Sequence, residues 1–384
     1  MDKKRNIAIL GSTGSVGIQA LRVIDTHPEF FNVVALTANT NAELLLAQIQ
    51  KYRPFFAGLS DESGAGKIRD SIPEGTRFAC GETCLSEACT IDDIDIVLIS
   101  VVGTAGIKPL FECIRRGKQV ALANKEALVC GGNLATEELK KTGRHILPVD
   151  SEHSAIFQAL RAKGEGPPLK RILLTCSGGA FRSWDMEKLA TAAPEQALKH
   201  PNWNMGRKVT IDTATQMNKG LEVMEARWLF DAPPEKIEVL IHPQSIIHSM
   251  VEYEDNAVIA QLGLPDMRVP IQYALMYPQR SYAGVEALDF TRVGELTFEK
   301  PDTHRFPCLG LAYEALHMGK SASVALNASN DVAVELFIHK KIGFFDIPKL
   351  IEKGMGKFGA IDIKSTQDIF DTDSACREYI LRDH

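Results

Sequence analysis

The chain has 384 residues, 45% of them hydrophobic and 24% charged, and a formal net charge of −6. That size and balance describe a soluble globular protein of two or three domains and argue against a single domain. The mildly acidic charge offers no general attraction to polyanions, so no nucleic acid and no membrane surface is expected as a partner, and an anionic small substrate needs a locally basic site.

Lys3, Lys4 and Arg5 precede the apolar run Ile7 to Leu10, but Gly11 ends that run far short of a secretory core. No later run reaches the length of a membrane span. The eight cysteines are scattered without a dense framework, which fits reduced thiols and a cytoplasmic location. Cys80, Cys84 and Cys89 lack a C-x-x-C pair and a neighbouring histidine, so they read as inert thiols and not as zinc ligands.

Through residues 1–149, runs rich in Val and Ile alternate with helical-period stretches, the pattern of a doubly wound, Rossmann-like α/β domain. Strands are expected at 6–10, 32–36, 94–100, 119–123 and 145–149, with helices such as 16–26 and 41–51 between them. From 150 to 278 the texture is that of an α+β domain, with strands at 171–175, 238–241, 246–252 and 257–261, and it is expected to be the catalytic and dimerisation domain. The segment His242 to Tyr253, with Pro243 near its start, is a candidate for pairing across a subunit boundary. A linker is expected over 279–306. Beyond it, 307–384 reads as a small helical bundle, with helices near 309–318, 323–339, 347–353 and 366–381.

Immediately after the first strand comes Gly11-Ser-Thr-Gly14-Ser-Val-Gly17, a glycine-rich turn that opens a helix. Its backbone N–H groups and the positive helix end suit a pyrophosphate, and the glycines allow close approach. The turn after the second strand reads Asn39-Thr40-Asn41, with no acid before Glu43. A carboxylate there would bind the ribose hydroxyl of NAD and repel a 2′-phosphate, so its absence favours NADPH, although no Arg or Lys is present to greet that phosphate. Asn39 and Asn41 are candidate cofactor contacts.

Asn124-Lys125-Glu126 follows the strand 119–123 at its carboxyl end, where ligands of an open α/β sheet sit. The next strand runs into Asp150-Ser151-Glu152-His153. In an extended segment residues two apart point the same way, so Asp150 and Glu152 would face one side, and a divalent cation relieves their repulsion. Oxygen ligands select Mg²⁺ or Mn²⁺, with Co²⁺ as a third option, over zinc. A helix N-cap at Asp150 or Ser151 competes with that reading and is compatible with it.

Ser177-Gly-Gly leaves backbone N–H groups free to cradle a phosphate, or is a structural turn. His200-Pro-Asn-Trp203-Asn-Met205-Gly206 mixes rigid and flexible residues around a large aromatic, which suits a closing loop or an immobile one with a packed Trp. Asp212 to Glu222 is polar on one face at helical spacing. Asn218 and Lys219 can donate to a phosphate and Glu222 can complete a three-carboxylate metal site, against the plainer reading of a solvated stripe. Gly64-Ala-Gly-Lys67 lacks the rest of a P-loop. His242 and His248 read as structural histidines.

The ordered series of these motifs, together with Ala123-Asn-Lys-Glu-Ala-Leu-Val and Met217-Asn-Lys-Gly-Leu-Glu-Val, resembles the 1-deoxy-D-xylulose 5-phosphate reductoisomerase family over essentially the whole chain. The resemblance implies that Asp150, Glu152 and Glu222 bind the metal. It implies that Ser151, Ser177, His200, Thr213, Asn218 and Lys219 hold a sugar phosphate, with Lys125 near the reacting atoms. Thr13, Gly14, Ser15, Val16, Asn124, Glu126 and Gly206 fall at cofactor positions, Trp203 and Met205 on a mobile flap, and a homodimer is implied. Thr213 and Ala180 stand where the family often has Ser and Pro, and Thr40 where Arg or Lys is common.

The expected chemistry is a metal-assisted retro-aldol and aldol rearrangement followed by reduction with NADPH, with Lys125, Glu152, His153 and His200 as candidates for catalysis. Two rivals remain at this point. An NADPH-dependent semialdehyde dehydrogenase would not need the three carboxylates, and an NADPH-sensing regulator would bind cofactor and turn nothing over.

Overall fold

The computed structural model describes residues 4–163, 168–199 and 206–382. Seven parallel strands form the first sheet: β1 (Arg5–Leu10), β2 (Phe31–Ala38), β3 (Phe56–Leu59), β4 (Arg77–Cys80), β5 (Ile96–Ile99), β6 (Gln119–Leu122) and β7 (Leu147–Pro148). They lie side by side as β4-β3-β2-β1-β5-β6-β7. All of β3 and β5 is buried, as a strand covered on both faces must be, so apolar residues run continuously instead of alternating. Two of these strands, β3 and β4, were not expected. Each has four residues and no Val, Ile or Thr, and Gly58 occupies the middle of β3 because a Cβ there would lie 2.8 Å from Cys84 Cβ.

The strand order reverses between β1 and β5. Ligands of open α/β sheets bind at such a reversal, beyond the carboxyl ends of the strands, here Leu10-Gly11 and Ile99-Ser100.

The second sheet contains β8 (Leu169–Cys176), β9 (Ile237–Ile241), β10 (Ile247–Tyr253) and β11 (Val258–Leu262), in the order β11-β10-β8-β9. β10 runs antiparallel to both neighbours, and β8 and β9 are parallel. The expectation for His242–Tyr253 therefore needs correction: β10 is paired on both sides and has no open edge for another subunit. The exposed edge is β11, where Val258 is 47% and Ile259 36% accessible. Helices Ser151–Leu160 and Met217–Leu229 bury Ile156, Ala159, Val223 and Ala226 in one cluster with Ile172, Leu174, Val239 and Val251. Three- and four-residue apolar spacing puts such side chains on one helix face.

His242 is structural, as expected. Its Nε2 accepts from the N–H groups of Ile246 and Ile247 at 3.2 Å each. That leaves Nδ1 to carry the proton and donate to the Thr297 carbonyl at 2.9 Å.

The C-terminal helices are Pro307–Met318, Ala322–Ile338, Asp346–Phe358 and Thr366–Leu381. Pro307 starts the first, where its missing N–H is no loss. Ser365 and Asp368 cap the last reciprocally.

Packing divides the chain into two compact units. One is Met1–Ala127, Ala135–Ser154 and Asp266–Glu286; the other is Leu128–Leu134, Ala155–Pro265 and Ala287–His384. Asp266–Glu286, which the linear reading divided between the central domain and the linker, packs with the nucleotide-type sheet instead. Its helix Arg268–Met276 lies on the helix Ser15–Thr26. Arg5 Nη1 donates to the carbonyls of Leu275 and Tyr277, each at 2.9 Å, fixing the segment to β1.

Candidate active site

In the first unit the glycine-rich turn is built by close contact. Gly11 has φ +88°, and a Cβ on it would lie 2.9 Å from the Ser100 carbonyl oxygen. A Cβ on Gly17 would lie 2.3 Å from Gly11 O and 2.6 Å from Ser12 Cα, so the helix seats directly on the turn. Gly14 and Ser15 are exposed, and no acidic residue occupies the helix's first turn, so its positive end stays open to an anion. Gln48 holds the turn from behind: Ser12 Oγ donates to Gln48 Oε1 at 2.6 Å, and Gln48 Nε2 donates to Ser12 O at 2.9 Å. Nothing in the sequence singled out Gln48.

Asn39, Thr40 and Asn41 lie exposed after β2. Asn41 Oδ1 accepts from Leu44 N at 3.1 Å and caps the following helix. Val102, 82% exposed just beyond β5, was also missed; it presents an apolar side chain at the strand reversal.

Asn124 after β6 is almost wholly buried. Its Nδ2 donates to Val101 O at 3.0 Å, Gly103 O at 2.9 Å and Glu126 Oε2 at 3.0 Å, while its Oδ1 accepts from Ala127 N at 2.9 Å. The side chain thus shapes the loop after β5 and starts the helix Glu126–Thr142. Lys125 Nζ sits 2.8 Å from Asp150 Oδ2, and His153 Nδ1 lies 3.9 Å from the same oxygen. Ser151 Oγ donates to Glu152 Oε2 at 2.5 Å.

The two acids are not in an extended segment, which corrects the alternation expected for them. Asp150 opens the helix Ser151–Leu160, its carbonyl accepting from Ser154 N at 2.8 Å, and Glu152 is in the first turn. The helix start, and not a two-residue period, sets their directions.

In the second unit β8 delivers Ser177-Gly178-Gly179. Both glycines are left-handed, with φ of +86° and +74°, and Gly179 N donates to Ser177 Oγ at 3.3 Å. A Cβ on Gly179 would lie 2.4 Å from the Thr213 carbonyl oxygen, so the turn touches the helix Arg207–Ala214 at that residue. Gly206 caps this helix. Gln216, at φ +62°, then turns the chain into the helix Met217–Leu229. Along that helix Asn218 Nδ2 donates to Glu222 Oε1 at 2.6 Å, and Lys219 Nζ pairs with Glu222 Oε2. Lys219 and Glu222 are 3% and 1% exposed, which removes the solvated-stripe reading. A buried carboxylate in such a place requires these partners. Glu225, one turn further on and equally buried, was legible as an acid at i+3 and was overlooked. His200, Trp203 and Met205 lie outside the described residues.

A chain with one doubly wound unit that carries a pyrophosphate-type turn and a second unit that holds a buried lysine and carboxylate has the build of a nucleotide-dependent oxidoreductase. Three family profiles match: 1-deoxy-D-xylulose 5-phosphate reductoisomerase over residues 7–132, and C-terminal domains of that enzyme over 146–230 and 262–379. The 1-deoxy-D-xylulose 5-phosphate reductoisomerase of Laribacter hongkongensis is 48% identical and that of Clostridium perfringens 50%, over 98% of each chain. The chain belongs to the 1-deoxy-D-xylulose 5-phosphate reductoisomerase family. Among solved structures, the enzyme of Zymomonas mobilis in complex with NADPH is 40% identical, with a TM-score of 0.92 over 98% of both chains. Another reductoisomerase, in complex with NADPH, fosmidomycin and magnesium, is 36% identical with the same TM-score and coverage.

Proposed function

We propose that this chain converts 1-deoxy-D-xylulose 5-phosphate into 2-C-methyl-D-erythritol 4-phosphate, a step of the non-mevalonate isoprenoid route, using NADPH and a divalent cation. The observation that supports the reading is a set of polar groups gathered in the second unit, where the Gly178–Gly179 turn meets Thr213 and the next helix carries Asn218, Lys219 and Glu222. Ser177, the Gly178–Gly179 turn, Thr213, Asn218 and the buried Lys219 supply donors suited to a phosphate, and Glu222 lies on the same helix face as Lys219.

The residues present fit both groups. Thr13, Gly14, Ser15 and Val16 offer an unobstructed helix start to the nucleotide's pyrophosphate. Asn39 and Asn41 present no carboxylate against a 2′-phosphate, and Asn124, Glu126 and Gly206 complete the cofactor set. Asp150, Glu152 and Glu222 offer only oxygen donors, which favours Mg²⁺ or Mn²⁺, with Co²⁺ also accommodated. When bound, the cation polarises the ketose oxygens and NADPH supplies the hydride.

The remaining work belongs to the chain. Ser151 orients Glu152 through its short hydrogen bond. Lys125 and His153 flank one Asp150 oxygen, so a proton moved by either is sensed by that carboxylate. Lys125, Glu152, His153 and His200 are the groups that serve the carbon–carbon cleavage and re-formation, from which the branched aldehyde is released for reduction.

Residues 1–149 together with 266–286 carry the nucleotide, 150–265 the substrate and the dimer contact, 287–306 the link and 307–384 the helical brace. A second copy covers the exposed β11 edge, since an open apolar strand edge invites pairing. Among the described residues no helix is long and apolar enough to cross a membrane. All eight cysteines are free, in keeping with a reducing cytoplasm.

The test is a cuvette containing NADPH, Mg²⁺ and deoxyxylulose phosphate, followed by NADPH absorbance with and without a strong chelator. Decay that stops on chelation is expected. Absence of decay in the complete mixture, or decay indifferent to chelator, overturns the proposal.

A further inference from the structure

A chain of polar contacts, half-buried at Arg377, Asp331 and Lys208 and fully buried at Asp212 and Asn330, joins the C-terminal helices to the helix Arg207–Ala214. It begins on Thr366–Leu381, where Arg377 donates to Asp331 Oδ2 at 2.5 Å and is held by Asp373 at 2.6 Å. On Ala322–Ile338, the other oxygen of Asp331 lies 3.1 Å from Lys208 Nζ. Lys208 also contacts Asp212 Oδ2 at 2.8 Å, and Asn330 Nδ2 donates to Asp212 Oδ1 at 2.8 Å. Asp212 is 1% exposed and Asn330 fully buried. An ionised carboxylate at that depth is tolerated only while both oxygens are satisfied, so the geometry of Lys208 and Asn330 dictates where Asp212 can sit.

The next residue along is Thr213, whose carbonyl meets Gly179, and the same helix leads through Gln216 into Asn218 and Lys219. We infer that Asp331, with Asn330 and Arg377, is a positioning residue for the phosphate subsite: it fixes the register of the helix that carries Thr213 and so sets affinity for the phosphate, without touching the substrate. The inference rests on the phosphate role proposed above for Ser177, Thr213, Asn218 and Lys219. Charge, and not shape, is what Asp331 contributes. An amide keeps the volume but replaces one of two charged acceptor oxygens, each facing its own cation, with a donor.

In the full-length enzyme, D331N is expected to raise KM for the sugar phosphate about tenfold and the inhibition constant of inorganic phosphate by a similar factor, with kcat within about threefold, as for lost uniform binding. NADPH affinity stays unchanged, and D331E restores KM to within about threefold. Inorganic phosphate titrated against the thermal midpoint reads the same shift without turnover, which separates this inference from the functional one. If phosphate raises the wild-type midpoint and D331N shifts that titration while the wild type turns nothing over, the tether stands and the functional reading falls. If turnover is normal and D331N titrates like wild type, the tether falls. It also falls if NADPH affinity declines in step with phosphate affinity, since that is general loosening. Should D331N not fold, R377Q, altered at a partly exposed side chain, is expected to raise KM about threefold, and an unaltered KM overturns the proposal equally.

Discussion

Replacing Gly17 with Ala sets two effects against each other. Within a helix, Ala is favoured over Gly by about 0.8–1.0 kcal/mol, so propensity alone predicts a more stable protein. The structure predicts the opposite. The new Cβ would lie 2.3 Å from Gly11 O, 2.6 Å from Ser12 Cα and 2.8 Å from Ser12 C, all backbone atoms that cannot rotate away. Ordinary contact demands a retreat of about 1 Å, and overpacking of this kind costs about 1–3 kcal/mol. The net is a loss of up to about 2 kcal/mol, and for a unit of this size each kcal/mol lowers the thermal midpoint by about 2–4 °C. A displacement of that size in the glycine-rich turn also removes at least one hydrogen bond to a charged pyrophosphate, worth about 1.5–3 kcal/mol, so NADPH affinity falls roughly 10- to 100-fold. Fluorescence titration with NADPH and a melting curve measure both. A G17A protein with a raised midpoint and wild-type NADPH affinity refutes the contact argument.

Glu222→Gln is expected to abolish turnover while leaving NADPH affinity within about threefold, because it alters the oxygen donor set and the partner of Lys219 and not the nucleotide turn; retained catalysis dismisses Glu222 as a metal ligand. Burial, and then the nearby Asp212 carboxylate, push the Cys308 thiol up to about 12. At pH 8 roughly one molecule in ten thousand is thiolate there, so Cys308 should resist iodoacetamide in the folded enzyme, as mass spectrometry of the peptides can check. His317 is raised above its ordinary 6.5, first by Glu235 at 3.0 Å and then by the Tyr313 carbonyl. The pair's contribution is fully present below pH 6.5 and fades as pH rises through the raised value, so H317Q should narrow its melting deficit between pH 6 and pH 9, and a deficit independent of pH contradicts this.

Both the existence of the doubly wound sheet and the candidate site were legible in the chain, for different reasons. Long apolar strands such as β1 and β2 announce themselves by composition. β3 and β4 do not, because four-residue strands without branched residues carry no period, and only the packed sheet gives Gly58 its meaning. Asp150 and Glu152 were identified on a premise of alternation that the helix start replaces. Lys219 and Glu222 read equally well as a solvated stripe until burial was known. Gln48 left no trace, since it acts through Ser12, which only the fold brings close, and Val102 none, since only the strand reversal gives an exposed valine its meaning. Asn124 reads from its place after a strand as a cofactor contact, and the fold adds what the sequence did not show, that its side chain also ties the loop after β5 to the start of the next helix. A residue's type shows which chemistry it can do, while its neighbours determine whether that chemistry is already occupied.

The interleaving of the two units has an evolutionary corollary. The nucleotide-type sheet is completed by Asp266–Glu286, and the helix Glu126–Thr142 carries Leu128–Leu134 for the other unit in its middle. Neither half can therefore be exchanged as one contiguous cassette. Recombination that cut after β7 would strand Arg5 without the carbonyls of Leu275 and Tyr277, so lineages of this architecture are expected to diverge by point substitution and loop change and not by swapping modules.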